Sequence, residues 1–502
     1  MSSLVLDDTV RDILMSRVYD VAIESPLERA EKLSKLTGHS VYLKREDLQP
    51  VHSFKLRGAY NKIIHLTDDE RACGVITASA GNHAQGVALA AQKLGISALI
   101  IMPQTTPVIK VDAVKNYGAD VELHGDNYSE AADYAKVRAH ETKRTYVHPF
   151  DDPLVIAGQG TIGREIIEQL PNATHIFIPV GGGGLIAGIA SYVKALRPDV
   201  KIIGVEPEDS NAMQASIVSK KRVTLEHVGI FADGVAVKQV GDYTYQIARK
   251  NVDDFITVDT DQICVAIKNI FEDTRSIVEP AGALAIAGMT KYELPAGAQA
   301  VAICSGANMT FERLQQVAER TLIGSGREAV FAVTLPEKPG ALHAFCDQIV
   351  KNRSIGEFSY RLNKRSGARI FIGLTVSGVS DKDNLMKKMD DQHYDHVDLS
   401  SDDLAKEHIR HMIGGQAPQV TSEHIYEVTF PERPGALAGF LQAIGTNWNI
   451  SLFHYRNAAS DWSKVLIGFE ADDSKTLEAK LEATKFEWTK KDDNLGIGLF
   501  LQ

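Results

Sequence analysis

Four short segments carry residue types that could do chemistry together. The first is Ser53-Phe54-Lys55-Leu56-Arg57-Gly58-Ala59, preceded by Lys44-Arg45-Glu46-Asp47. A lysine forms a Schiff base only through a neutral amine, and a partly apolar setting beside Phe54 and Leu56 would depress its pKa. Taken alone, a lysine in a chain with 54 basic residues is more often a solvated surface charge, so this segment gains meaning only from the others.

The second segment, Ser79-Ala80-Gly81-Asn82-His83-Ala84-Gln85-Gly86, follows a strand and opens a helix. Glycines there permit a sharp turn and leave amide hydrogens, the Ser79 hydroxyl and the Asn82 carboxamide pointing at an anion such as a carboxylate. A helix N-cap on a tight turn accounts for the same residues, and an isolated histidine such as His83 is more often structural than a proton carrier. The third segment is Gly181-Gly182-Gly183-Gly184-Leu185, between strand-like Ile176 to Val180 and a helix with apolar face Leu185, Ile189, Val193 and Leu196. Residues without Cβ atoms let successive amides approach a phosphate, and the helix N-terminus adds favourable partial charge. Gly182, Gly184 and Ala187 also satisfy the dinucleotide fingerprint, with Glu206 at the end of the next strand in the ribose-binding place, so a dehydrogenase stays open on local grounds. The fourth, Cys304-Ser305-Gly306-Ala307-Asn308, stands at the carboxyl end of a strand, the edge where open α/β sheets bind ligands. Ser305 by itself would be a helix cap.

The elements that must position these segments read as two βαβ series. From Val75 to about Val147, apolar runs (Val75 to Thr77, Ala98 to Met102, Val121 to Leu123) alternate with helical stretches (Val87 to Leu94, Val108 to Tyr117) closed by Gly95 and Gly118. A second series begins at Ile176 and continues through Lys201 to Val205 and Ala300 to Cys304. Both imply parallel sheets. Leu170 to Val193 lacks Asp, Glu, Lys and Arg, but Pro179 and four glycines at its centre make it a strand, loop and helix rather than a membrane span.

Past Thr321, after Gly324, Gly326 and Arg327, the chain repeats itself. Leu335-Pro336-Glu337-Lys338-Pro339-Gly340-Ala341-Leu342 returns as Phe430-Pro431-Glu432-Arg433-Pro434-Gly435-Ala436-Leu437, and Tyr360-Arg361 returns at the same offset as Tyr455-Arg456. Each unit reads as strand, Pro-Gly turn, amphipathic helix (Leu342 to Val350; Leu437 to Ile444) and strand, the opening of a βαββαβ module. Duplicated units of this kind regulate, or simply pack together for stability.

At 502 residues the chain is long enough for about three domains. With 54 basic against 65 acidic side chains and a formal charge of -11, neither nucleic acid nor an anionic membrane is an expected partner. The four cysteines, Cys73, Cys264, Cys304 and Cys346, lack CxxC spacing, so neither a disulfide framework nor a zinc site is indicated. Met1 to Asp8 has no basic cluster, and the cytoplasm is the expected location.

In this order the four segments resemble the fold-type II pyridoxal-phosphate enzymes, the tryptophan synthase β-like group, and within it the threonine and serine dehydratases, over roughly residues 15 to 320. The resemblance implies pyridoxal 5'-phosphate as cofactor, Lys55 as its Schiff-base residue and the catalytic residue, Asn82 against its 3'-oxygen, Gly181, Gly182, Gly183, Gly184 and Leu185 around its phosphate, and Ser305 at its pyridine nitrogen. It implies that Ser79, Ala80, Gly81, Asn82 and His83 face the substrate, with Gly234 of Ala232-Asp233-Gly234-Val235-Ala236 beside the ring. Metal-dependent relatives carry an acid and, a few residues on, an aspartate; Glu206-Pro207 matches, but Ala212 stands at the aspartate position, so no metal is expected.

The expected architecture is a catalytic domain over 1–322 with two open parallel-sheet subdomains, the smaller inserted at about 45–147, followed by ACT-like domains at 329–400 and 423–495. That pair resembles the regulatory domains of biosynthetic threonine deaminases, which implies L-threonine as substrate, isoleucine as feedback inhibitor, valine as a relieving effector and a homotetramer. A serine dehydratase, another β-elimination or β-replacement enzyme, or an amino-acid sensor on an inactive scaffold shares much of this pattern.

Overall fold

The periodicity of Val87 to Leu94 belongs to a helix, Asn82–Leu94, that closes on Gly95 with a φ of +67°. Gly118, at φ +78°, makes the corresponding turn after Val108–Lys115. A residue without a Cβ enters this left-handed region at no steric cost. These helices and their strands appear in the computed structural model, which describes residues 8–311, 313–336, 344–351, 353–360, 368–409, 422–431, 440, 442–445, 447–455, 462–484 and 486–500. The chain divides into two compact units, Met1–Phe311 and Glu312–Gln502.

In the first unit the described strands are β1 (Leu27–Arg29), β2 (Ser40–Arg45), β3 (Val75–Ala78), β4 (Ala98–Met102), β5 (Asp120–Leu123), β6 (Thr145–Tyr146), β7 (His175–Pro179), β8 (Lys201–Pro207), β9 (Asp254–Val258) and β10 (Gln299–Cys304). They form a six-stranded sheet ordered β1-β2-β10-β7-β8-β9 and a four-stranded sheet ordered β5-β4-β3-β6. Apart from β1, which runs antiparallel to β2, every pairing in both sheets is parallel. The smaller sheet is therefore inserted in the chain between β2 and β7. The uncharged run from Leu170 resolves into β7, a glycine loop and the helix Gly184–Leu196. Among the described residues no helix is long and apolar enough to cross a membrane.

Lys44, Arg45, Glu46 and Asp47 are all buried. Lys44 pairs with Glu165 at 2.6 Å, and Arg57, on the helix Lys55–Ile64, pairs with Glu46 at 2.8 Å and Glu165 at 2.5 Å. Burial would raise the Glu165 carboxyl, but Arg57 and Lys44 hold it below its ordinary range. Two cations thus balance two carboxylates in the interior, and that balance anchors the helix on which Lys55 stands.

The second unit contains β11 (Glu328–Leu335), β12 (Ile355–Tyr360), β13 (Ala368–Thr375) and β14 (His396–Asp398), then β15 (Glu423–Pro431), β16 (Asn449–Tyr455), β17 (Trp462–Glu470) and β18 (Glu487–Lys490). Their sheets have matching orders, β12-β13-β11-β14 and β16-β17-β15-β18. The sequence repeat carries through to the hydrogen bonding: Glu328 pairs with Thr375 in one sheet and Glu423 with Glu470 in the other. The β-bulge between Ile355 and Glu357 returns between Ile450 and Leu452. Most of the two Pro-Gly turns, with Arg361 and Arg456, lies outside the described residues.

Alternation along β11 explains the packing. Phe331, Val333 and Leu335 face the first module's own helices, whereas Val330 and Ala332 join a layer with Ile425, Leu466, Ile497 and Phe500 of the second. Ile323 belongs to that layer and Arg320 pairs with Asp403, so the helix Arg313–Gly324 goes with the second unit, ahead of the boundary expected at 322.

Candidate active site

Lys55 opens its helix directly behind a loop bridged to the segment after β10. Ser53 and Gly306 form an isolated antiparallel bridge, Phe54 N donates to Ser305 O at 3.2 Å, and Ala307 N donates to His52 O at 2.9 Å. The Lys55 amine donates to Pro149 O at 2.8 Å. Among the described residues no carboxylate pairs with it directly; burial lowers it to about 8, against a smaller raising influence from Glu279. A substantial neutral fraction follows at physiological pH, the state a nucleophilic amine needs.

The Ser79–Gly81 turn leaves the carboxyl end of β3, with Ser79 N donating to Ile101 O and Ser79 Oγ accepting from Gly81 N. Residues 79 to 82 are partly exposed, and a Cβ built on Gly81 would meet nothing within 4 Å. No side-chain cap satisfies the first amides of the helix that starts at Asn82. His83, by contrast, is buried, with Nε2 3.0 Å from Val147 O. Burial and the neighbouring Lys55 charge hold it down at about 3, so it is a neutral packing residue. His148 is likewise held down at about 4 by burial, its Nδ1 accepting from Phe150 N and Asp151 N.

The glycine loop shows why it needs glycines. A Cβ on Gly182 would lie 2.2 Å from the Phe150 ring, and one on Gly181 2.8 Å from the Val235 backbone. Gly183 has a φ of +96°. Gly182 O accepts from Thr244 Oγ1 at 2.6 Å, and Asp151 accepts from the Asp242 and Thr244 amides, which locks the start of the helix Asp242–Asn251 against the loop. Leu185 is buried in the first turn of the helix Gly184–Leu196.

Glu279 was not legible as a site residue. It is buried just ahead of the helix Pro280–Lys291, and Asn82 Nδ2 donates to its Oε1 at 2.6 Å. Burial pushes it up to about 8, with Asp233 adding to the rise. A Cβ on Gly234 would sit 2.9 Å from Ala281 Cβ and 3.5 Å from Glu279 Oε1. Ser305 is buried, its Oγ 3.3 Å from Ala281 O. The one available signal is that Glu279 is the sole charge in the apolar run from Ile277 to Met289.

These contacts close into a ring. It passes from Gly182 to Phe150 and Pro149, to Lys55 and its loop, through Asn308 to Asn82, to Glu279, and by Gly234 and Val235 back to Gly181. Lys55, Asn82 and Ser305, far apart in sequence, thus share one cluster with the glycine loop. A phosphate fits the tight glycine turn at a helix N-terminus, and an aldehyde fits a partly neutral lysine, so the residues present fit a phosphorylated aldehyde cofactor.

Glu206 is buried near the end of β8. Its oxygens accept from Met213 N at 2.9 Å and Gln214 N at 2.8 Å, and burial pushes it up to about 8. It caps the helix Ala212–Val218. Among the described residues no group of three His, Cys, Asp or Glu could hold a metal.

Residues 18–306 match the family described as pyridoxal-phosphate dependent enzyme, and residues 319–409 and 414–501 match the C-terminal regulatory domain of threonine dehydratase. The chain is 49% identical to the biosynthetic L-threonine dehydratase of Burkholderia multivorans, covering 98% of this chain and 99% of that one. It is 51% identical to the chloroplastic biosynthetic threonine dehydratase of Arabidopsis thaliana, over 94% of this chain and 80% of that one. Among solved structures it is similar to the processed form of threonine deaminase isoform 2 from Solanum lycopersicum, with a TM-score of 0.61 and 51% identity over 64% of this chain and 94% of that one. Maize serine racemase shares the fold at a TM-score of 0.59 and 33% identity, over 63% of this chain and 97% of that one.

Proposed function

The chain belongs to the pyridoxal-phosphate dependent enzymes, in their biosynthetic threonine dehydratase branch, and from that premise we propose that it converts L-threonine to 2-oxobutanoate and ammonia with Lys55 as the cofactor-bearing residue. The observation that carries the reading is the closed ring of contacts joining Lys55, Asn82, Ser305 and the glycine loop.

Pyridoxal phosphate, when bound, supplies a sink for the electron pair left at the substrate's Cα. The amides of Gly181 to Leu185 would hold its phosphate, and Asn82 Nδ2 its phenolic oxygen. Ser79, Ala80 and Gly81 present the uncapped helix start to the substrate carboxylate, with Gly234 on the opposite wall; His83 supports this loop from beneath. Lys55 Nζ, neutral in part, takes the proton from Cα. Ser305 Oγ would stand at the pyridine nitrogen, and a hydroxyl stabilises a protonated pyridine far less than a carboxylate would. The electron pair would therefore go to expelling the β-hydroxyl rather than being stored, and the leaving hydroxide together with the Cα proton makes up the one water lost. Borohydride reduction followed by peptide mass analysis tests the reading: the cofactor adduct is expected on Lys55, and an adduct on any other lysine overturns it.

The catalytic domain is assigned to the first unit and the two ACT-like domains to 329–400 and 423–495, with isoleucine as inhibitor and valine as the opposing effector. Family resemblance also supports a cytoplasmic homotetramer. All three tryptophans, Trp448, Trp462 and Trp488, lie in the second unit. Titrating the full chain with isoleucine should change tryptophan emission in step with inhibition; inhibition with no change in emission would speak against effector binding there.

A further inference from the structure

Asn82 is held at both ends of its amide by protein groups. An amide side chain has one acceptor oxygen and two donor hydrogens, and which end faces which neighbour is decided by the hydrogen-bond network. Here the network starts at a group with no freedom. Val51 O can only accept, and Asn308 Nδ2 donates to it at 2.8 Å. The same nitrogen donates its other hydrogen to Asn82 Oδ1 at 2.7 Å. The Asn82 nitrogen is thereby turned the opposite way, where it donates to Glu279 Oε1 at 2.6 Å. Glu279 also accepts from the Asn308 backbone amide, while its own amide donates to Gly306 O at 3.1 Å. Gly306 gives this arrangement room, since a Cβ there would lie 2.6 Å from Glu279 Oε1 and 3.2 Å from Asn82 Nδ2.

One hydrogen on Asn82 Nδ2 is left over. We propose that Glu279 is a positioning residue that, with Asn308, fixes the amide of Asn82 so that this remaining N–H is presented to the cofactor's phenolic oxygen. The assignment rests on the reading that Asn82 faces that oxygen. In this arrangement Glu279 acts through Asn82 and does not touch the reacting atoms. Without it only the Asn308 Nδ2 contact at Oδ1 opposes the flipped rotamer, which presents an oxygen to an oxygen. Its burial has a use accordingly: an acid in this place, ringed by an amide, a backbone N–H and small residues, is an acceptor that water cannot replace.

The test measures cofactor affinity, independently of turnover, by titrating apoprotein with pyridoxal phosphate and following the visible band. Asn82→Ala and Glu279→Leu should each weaken binding about tenfold, the worth of one hydrogen bond to a buried polar group. The double variant should be no weaker than Asn82→Ala alone, because the two side chains act as one unit. Glu279→Gln, which keeps an acceptor oxygen and the shape, should recover most of the loss seen with Leu. Circular dichroism of each variant must match the parent, and the Gln variant carries the test where Leu does not fold. Losses that multiply in the double variant, or a Gln variant as weak as Leu, overturn the positioning role while leaving the Asn82 contact standing. An Asn82→Ala protein with parental affinity instead removes the underlying reading, and the proposal with it.

Discussion

Arg57 Nη2 lies 2.8 Å from Glu46 Oε1, and neither side chain is exposed to solvent. Arg57 follows Lys55 by two positions on the same helix, so the residue that anchors the helix and the residue that serves the site belong to one rigid turn. Arg57→Ala leaves Glu46 and Glu165 with Lys44 as their remaining buried cation. A loss of about 3–5 kcal/mol is expected, as for other buried pairs broken on one side. Arg57→Lys should also destabilise, since one ammonium cannot reproduce bonds to two carboxylates and the Ile23 carbonyl. Urea unfolding followed by circular dichroism measures both, and an Arg57→Ala protein as stable as the parent would contradict the anchoring role.

The Lys55 amine, lowered by burial to about 8, sets the pH dependence of cofactor attachment. Below that value the charged amine cannot attack an aldehyde, and above it the neutral form dominates. The rate of pyridoxal phosphate capture by apoprotein should rise with pH and level off above an inflection near 8. An inflection close to the ordinary lysine value of about 10.4 would show the amine to be solvated.

The glycine positions separate cofactor binding from substrate binding. Gly182→Ala places a methyl group 2.2 Å from the Phe150 ring and should weaken cofactor affinity about 5- to 150-fold, the equivalent of about 1–3 kcal/mol of overpacking. Gly81→Ala meets nothing within 4 Å, so the apoprotein should accept it and keep its cofactor affinity. Its methyl group would instead crowd the turn assigned to the substrate carboxylate and raise KM for threonine. Steady-state kinetics beside cofactor titration distinguishes the two; equal losses of cofactor affinity in both variants would contradict this division of the site.

Acid should destabilise the site through its neutral histidines. His83 and His148 are depressed to about 3 and about 4, so between those values and the unfolded value of 6.5 the unfolded chain binds more protons than the folded one. Their contribution is present above pH 6.5 and is lost as pH falls toward 4. His83→Leu removes one of these groups, and Val147 O keeps its bond from Thr77 Oγ1. The drop in Tm between pH 7.5 and pH 5 should therefore be smaller in this variant than in the parent. An identical drop in both would mean that His83 is already charged at pH 5.

Much of this site can be read from local pattern, because its loops are short and stand at strand ends. The Lys55, Asn82, glycine and Ser305 segments each declare a turn chemistry on their own. Glu279 does not, since its role depends on Asn82 being brought across 197 positions of chain to within 2.6 Å. Glu206 carried two functional readings in sequence, and only the Met213 and Gln214 amides at its oxygens show that it is a helix cap. The amphipathic pattern of Arg313–Gly324 announces a helix with a buried face, but not which core receives it; Ile323 gives the answer. The duplication is plain in the paired Pro-Gly turns, whereas its preserved bulge is a property of backbone pairing that no residue type marks.

The layer shared by Val330, Phe371, Ile425 and Leu466 binds the histories of the two C-terminal copies together. After a segment is copied in tandem, most positions are free to drift. Here, an altered side chain on one inward surface must be answered by a change on its sibling's, so those surfaces evolve as a couple. Divergence of task between the siblings is left to the surfaces that look away from each other.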